Sequence, residues 1–459
     1  MKNTLLLSLA WLSQSAYALT LHERAEPATV QYDIQRRQAS GHHRHKRSNP
    51  VSSGITNNEV DYTMTLNLGT PKQQVEVILD TGSSDLWVNA HNSTSNNPYG
   101  DFDASSSSTY KYVNDDFRIE YVDGSAAIGD YVTDTASFGN VTLTNFQFGV
   151  AEKSSTQQGV LGIGYASSEF AELIDHEEYA NLPEALVNQG YIQSTAYSLW
   201  LDDIDAGKGT ILFGGINTAK YIGSLHALPI QAEQGEYTEL TVSLSGVHVT
   251  KSGKEISINN TALPVPVVLD SGTSLTYLPT GTALDIMNAV GAVYYESQGL
   301  AVLSCDKADT DYEIVFAFSG FNLSINLGDL LVESAFGYCA FGIAPEIPGS
   351  DGVYLLGDTF LRSAYVVYDL ANNEIHLAKT NTNPGPDHIL EIGAGTSAVP
   401  QVTGTANTQT AGATTAAATG HSTGKSDSED KKENSAAVSR SDLATLLLGS
   451  SFVVLLLGL

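Results

Sequence analysis

Two short phrases carry the chemistry this chain could perform: Asp80-Thr81-Gly82-Ser83-Ser84 and Asp270-Ser271-Gly272-Thr273-Ser274. Each places a carboxylate ahead of a hydroxyl, a glycine and a second hydroxyl. Taken singly, either phrase reads equally well as an aspartate capping a turn. Occurring twice, in two halves of one chain, they point to two aspartates facing each other across an interface. Adjacent carboxylates cannot both ionise cheaply, so such a pair shares one proton and offers an acid and a base in one place.

The elements that must position them are strands. Val75–Leu79 and Val265–Leu269 are apolar runs leading straight into the two phrases. Later in each half an apolar pair precedes glycine, Val160-Leu161-Gly162 and Leu355-Leu356-Gly357. These are expected to be strands threading beneath the aspartate loops, with each glycine permitting close backbone approach. The stretch Gly159–Gly164 superficially resembles a nucleotide loop, but its spacing is wrong and no βαβ unit follows. Short Val/Ile/Thr/Tyr/Phe-rich runs broken by turn residues recur throughout, and 41 glycines suit many tight turns. The reading is mostly β, with short helices near Ser168–Ile174, Glu184–Gln189 and Ala283–Ala289.

At 459 residues the chain has room for two or three domains. Its formal charge is −29; residues 1–47 hold seven Lys/Arg and three Asp/Glu, leaving 15 against 48, or −33, for the remainder. A surface so acidic argues against a nucleic-acid partner, which wants a basic face. It suits a soluble secreted protein and could draw basic substrates.

Met1–Ala18 has the layout of a secretory signal: Lys2, the apolar Leu5–Leu12, and Ala16-Tyr17-Ala18 as a small-x-small cleavage site. Residues 19–47 read as a pro-segment ending in His42-His43-Arg44-His45-Lys46-Arg47, a dibasic processing site rather than a metal tract. Cys305 and Cys339 are the two cysteines, and an oxidising compartment makes one disulfide the natural reading. Sequons at Asn92, Asn140, Asn259 and Asn322 agree with export. Residues 394–441, rich in Thr, Ala, Gly and Ser, read as a disordered stalk. The apolar tail 443–459, with small residues at Asn434-Ser435-Ala436, matches a GPI-attachment signal with attachment at Asn434 or Ser435. A tail-anchored transmembrane helix is the less favoured reading, because no basic residues follow the tail.

With those residues in view, the core resembles a pepsin-like aspartic endopeptidase over about 320 residues. The resemblance rests on the two aspartate phrases and on Leu86-Trp87-Val88, Tyr121-Val122-Asp123-Gly124-Ser125, Phe213-Gly214-Gly215-Ile216 and Leu356-Gly357-Asp358-Thr359-Phe360-Leu361-Arg362, in that order. It implies an all-β, bilobal acid-protease fold of two related barrel-like lobes, 59–235 and 236–380, with the active-site cleft between them. The layout of signal, pro-segment, stalk and tail is similar to the yapsin-type, surface-anchored fungal subgroup.

The resemblance also assigns roles. Asp80 and Asp270 are the catalytic pair acting through a bound water. Ser83 and Thr273 support the outer carboxylate oxygens, while Thr81 and Ser271 lock the lobes and Gly82 and Gly272 let the loops turn. Tyr121 and Gly124 belong to a flap, and Trp87 bonds Tyr121 and lines the pocket for the residue before the cut. Asp123 and the patch Asp202-Asp203-Asp205 are candidates for favouring Lys or Arg, the patch reading more simply as solvated turn acids. Asp358 reads as structural, and the loop Asn89–Asn97 lacks a cysteine pair to pin it. The expected partners are protein or peptide substrates and a membrane reached through the GPI anchor, with the cell wall as a further destination. No cofactor or metal is called for, and the chain is read as a monomer. Glycoside hydrolysis by paired carboxylates is a competing class; it leaves the matching phrases and the flap unexplained. A non-catalytic peptide-binding or adhesion protein on the same fold is the alternative, and it would have been favoured by loss of either aspartate.

Overall fold

The computed structural model describes residues 27–36, 61–93, 97–171, 178–204, 206–258, 260–335, 337–350, 352–396, 398–400 and 402–405. The signal, the dibasic tract, Asp205, Asn259, Asn434, Ser435 and the apolar tail lie outside them.

The half-buried alternation expected of strands dominates the chain. Among the described residues the strands form four sheets, of fourteen, eight, four and two strands. Each half contains the same motif. In the first, Gln73–Asp80 runs parallel to Gly159–Gly162, with Asp80 opposite Gly162, and Leu86–Asn89 lies antiparallel on the other side of that short strand. In the second, Val265–Leu269 runs parallel to Leu355–Leu356, which pairs antiparallel with Thr276–Leu278. The strand threads beneath the aspartate loop because no side chain obstructs it. A Cβ on Gly162 would meet the Ser84 nitrogen at 2.5 Å, and one on Gly357 would collide with the Thr273 and Leu275 carbonyls.

The halves join through the largest sheet. Ala196–Leu201 from the first half pairs with Ala364–Asp369 from the second, and Glu374–Thr380 pairs with Tyr221–Pro229. The apolar core runs continuously from one half to the other, from Leu66 and Val77 to Leu269 and Phe316. The result is the bilobal all-β fold expected of an acid protease. Helices form at Leu182–Asn188, whose Asn181 cap accepts from Glu184, and at Thr280–Val290, which ends on left-handed Gly291. The third expected helix is only partly described, with a 3-10 turn at Ala166–Ser168.

One expected segment carries a strand of its own, and one boundary differs from expectation. Val30–Arg36, inside the segment read as pro-segment, is a strand of the central sheet, set between Lys208–Phe213 and Tyr62–Leu68. Its residues Val30 and Ile34 are buried, and the Tyr32 hydroxyl donates to the Thr65 carbonyl at 3.1 Å. The folded part also runs past 394, where the stalk was expected to begin, to Thr405. Ile389–Glu391 pairs with Gly215–Asn217, and Val402–Thr405 pairs parallel with Tyr221–Pro229. Few apolar residues are needed there, because Ile392 and Val399 cap an existing apolar face that includes Trp200, Tyr221 and Tyr365.

Cys305, opening a 3-10 turn just past strand Leu300–Ser304, forms a disulfide with Cys339 on the neighbouring strand, Cα–Cα 5.1 Å. Asn92, Asn140 and Asn322 are exposed. The loop after Trp87, without cysteines, is held by backbone pairing: His91 donates to the Phe102 carbonyl at 3.0 Å and Phe102 to that of Asn89 at 2.9 Å. No helix among the described residues is long and apolar enough to cross a membrane.

Candidate active site

Strand ends deliver Asp80 and Asp270 to one point. The loop amides turn back onto the carboxylates they follow: Gly82 N–H donates to Asp80 Oδ1 at 2.7 Å, and Gly272 N–H to Asp270 Oδ1 at 2.8 Å. Hydroxyls take the outer oxygens. Ser83 donates to Asp80 Oδ2, and Thr273 donates to Asp270 Oδ2 at 2.5 Å. The two sites therefore repeat each other bond for bond.

The lobes are locked by the residues between. Thr81 Oγ1 donates to the Leu269 carbonyl at 2.8 Å and accepts from Ser271 N–H at 2.9 Å. Ser271 Oγ donates to the Leu79 carbonyl at 2.8 Å and accepts from Thr81 N–H at 3.2 Å. All four groups are buried, so each bond is costly to leave unmade. A methyl fewer at Ser271 than at Thr81 leaves this reciprocal pattern intact.

The glycines are set by contact rather than by backbone angle. A Cβ on Gly82 would stand 2.7 Å from Asp270 Cγ, and one on Gly272 would stand 2.5 Å from Asp80 Oδ1. Each glycine thus lies flat against the opposite carboxylate. Burial, and next the facing Asp270 charge, push the Asp80 carboxyl well above the usual range. A pair so placed retains a proton where isolated aspartates would both be ionised.

Above the pair, Lys111–Glu120 and Ala126–Phe138 form a hairpin whose tip is Tyr121–Ser125. Gly124 N–H donates to the Tyr121 carbonyl at 2.8 Å, and Gly124 adopts the left-handed φ of +80° that glycine takes freely. Asp123, exposed at the tip, accepts from Ser125 N–H at 2.7 Å. Trp87 Nε1 donates to the Tyr121 hydroxyl at 2.8 Å, and that hydroxyl also reaches Ser83. Trp87 thus holds Tyr121 near Ser83, whose own hydroxyl donates to Asp80.

The remaining candidates fall elsewhere. Asp202 is buried at a hairpin of the central sheet, 3.5 Å from Lys208 Nζ, and is not the solvated turn acid expected, because the sheet covers it; Asp203 beside it is exposed. Asp358 is fully buried with neither carboxylate oxygen hydrogen-bonded, and burial raises its carboxyl well above the usual range while Arg362 opposes that rise.

The family model for eukaryotic aspartyl proteases matches residues 61–380. The chain belongs to that family. A protein named "Probable aspartic-type endopeptidase opsB" in Aspergillus oryzae is 45% identical over 88% of this chain and 87% of its own length. Its counterpart in Aspergillus fumigatus is 45% identical over 84% and 83%. The aspartic proteinase yapsin-3 of Saccharomyces cerevisiae is 35% identical over 76% of this chain and 72% of its own. The protease is thus a yapsin-type member of the pepsin-like group and an aspartic-type endopeptidase, a hydrolase of peptide bonds.

Some buried groups of the protease escaped the sequence. Asp85 accepts from the hydroxyls of Tyr131 and Tyr179, both at 2.8 Å, and from Phe170 N–H at 3.0 Å. Glu169, fully buried, accepts from Tyr179 N–H at 3.0 Å, and burial pushes its carboxyl up to about 10. Asp85 stands two residues before Trp87, yet nothing in its local sequence distinguishes a buried carboxylate from a turn acid.

Proposed function

We propose that Asp80 and Asp270 are the catalytic dyad and that they hydrolyse peptide bonds through a water held between them. The observation carrying this is the reciprocal contact of Gly82 with Asp270 and of Gly272 with Asp80, which brings two buried carboxylates into one proton-sharing pair. The ionised carboxylate takes a proton from the water as it attacks the scissile carbonyl. The protonated one donates to the developing oxyanion, and proton return lets the amine leave. Ser83 and Thr273 stabilise the charge on the outer oxygens, and Thr81 and Ser271 hold the spacing. The hairpin tip closes over an extended peptide, with Tyr121 and Trp87 forming the pocket for the residue before the cut.

The chain enters the secretory pathway through residues 1–18, is quiet while 19–47 is attached, and is processed after Arg47. It is then tethered at the plasma membrane by a GPI group on Asn434 or Ser435, its glycans on the exposed sequons and its stalk starting after Thr405. Asp123 at the flap tip favours basic side chains in substrates. The test is pepstatin-sensitive cleavage of a denatured protein at acid pH by chain cut after Arg47. Cleavage with that sensitivity supports the dyad, and its absence with both aspartates intact overturns it. Profiling a peptide library reports the basic preference, and release of the chain from cells by phosphatidylinositol-specific phospholipase C reports the anchor.

A further inference from the structure

Asp85 is a buried carboxylate that the dyad does not use, bonded to two rings of the aromatic cluster that contains Trp87 and carries Tyr121 at its edge. One carboxylate oxygen receives two phenol hydroxyls, those of Tyr131 and Tyr179, and the other receives the Phe170 amide. Those three donors come from three separate stretches of chain: the second flap strand, the residues before helix Leu182–Asn188, and the helical residues Phe170 and Ala171 that follow Ala166–Ser168. A single side chain thus ties three walls together. Its own backbone is fixed as well, since the Asp85 carbonyl accepts from Gly162 N–H at 3.0 Å.

From Asp85 the contacts run to the flap. Tyr131 meets Tyr179 edge-on at 5.7 Å and Phe117 edge-on at 5.3 Å. Phe117 lies 6.4 Å from Trp87, whose indole bonds Tyr121. Phe117 sits this deep because Gly149 faces it, where a Cβ would stand 2.6 Å from the ring. These aromatic rings form one cluster, distinct from the main core, with Tyr121 and Tyr179 partly open at its edge.

We propose that Asp85 is a positioning residue for substrate recognition: by receiving both phenols and the Phe170 amide it fixes the aromatic wall against which a large substrate side chain packs. The wall would otherwise rest on ring contacts alone, and two hydroxyls buried beside each other would want partners. Both Asp85 oxygens accept, and while burial raises its carboxyl, the bonds from Phe170, Tyr131 and Tyr179 oppose that rise, so the same three contacts that fix the wall favour the acceptor form. The proposal rests on reading Trp87 and Tyr121 as lining that pocket.

The readout is selectivity. Each variant is assayed with paired quenched peptides carrying phenylalanine or alanine before the cut, and kcat/KM for phenylalanine is divided by that for alanine. Asp85→Asn, which keeps one acceptor oxygen but loses the charge and offers an amide facing the donors, should lower this ratio about tenfold, mainly through KM. Tyr179→Phe, a partly exposed site that removes one donor, should lower it about threefold and add little on top of Asp85→Asn, since the two share one bond. Tyr179→Phe alone decides the matter if Asp85→Asn does not fold. A ratio unchanged in Tyr179→Phe, or a loss equal for both peptides, overturns the proposal. Tyr121→Ala tests the underlying pocket reading: if it too leaves the ratio unchanged, the pocket is misplaced, whereas a fall there with no fall in the Asp85 and Tyr179 variants overturns the positioning role alone.

Discussion

Gly82→Ala probes how closely the two lobes must approach for chemistry. The added methyl would lie 2.7 Å from Asp270 Cγ and Oδ1 and 3.0 Å from Oδ2, where ordinary contact begins at 3.4 Å. Neither neighbour can yield freely. Thr81 and Ser271, on either side of the contact, are held by four buried interlobe hydrogen bonds. The carboxylates must therefore separate by roughly 0.7 Å, and displacements near 1 Å cost about 100-fold in rate. We expect kcat/KM to fall about 30- to 100-fold on a quenched peptide, with the fold retained by circular dichroism. The pH profile should move as well. Asp270 is the second cause of the raised Asp80 carboxyl, so a wider gap lowers that pKa and shifts the basic limb of activity to lower pH. A folded Gly82→Ala enzyme with kcat/KM within about threefold of the parent and an unmoved basic limb would refute the close-contact reasoning.

Thr81→Val removes one buried donor and leaves the Ser271 N–H without its acceptor, so unfolding free energy should drop by about 2–4 kcal/mol in a urea titration. Reducing the Cys305–Cys339 bond, which closes a loop with a sequence separation of 34, should cost about 3–4 kcal/mol by the same measurement. The contribution of Glu169 to stability should fall as pH rises. Glu169 has a folded pKa of about 10 against an ordinary 4.5, so the native state binds more protons than the unfolded chain between those values. Between pH 4.5 and neutral the parent should therefore lose melting temperature relative to Glu169→Gln as pH rises; a difference that stays constant across that range would count against the assignment.

What the sequence made legible is mostly what is local. The aspartate phrases and the threading glycines announce themselves because each depends on neighbours within a few residues or on a repeated phrase, whereas the Trp87–Tyr121 pair, 34 residues apart, is legible only through the family resemblance. The disulfide was legible because only two cysteines exist. The strand Val30–Arg36 hid inside a segment classed by its processing site, though Val30, Tyr32 and Ile34 alternate with polar residues as a half-buried strand should. The stretch to Thr405 hid because its composition is that of a linker; only the apolar face waiting on the central sheet makes Ile392 and Val399 fold. Asp85 and Glu169 were illegible for a different reason. Their burial is created by partners 46 to 94 residues away for Asp85 and by a segment ten residues on for Glu169, and a single carboxylate carries no mark of that.

The central claim is that Asp80 and Asp270 are one catalytic unit split between two lobes. Its most direct test is a double-variant cycle on enzyme processed after Arg47, with kcat measured at acid pH for Asp80→Asn, Asp270→Asn and both together. The account predicts that all three fall to the same floor, because either loss destroys the shared-proton pair and the second removes nothing further. Substantial activity in one single variant, or two partial losses that multiply in the double variant, would contradict it.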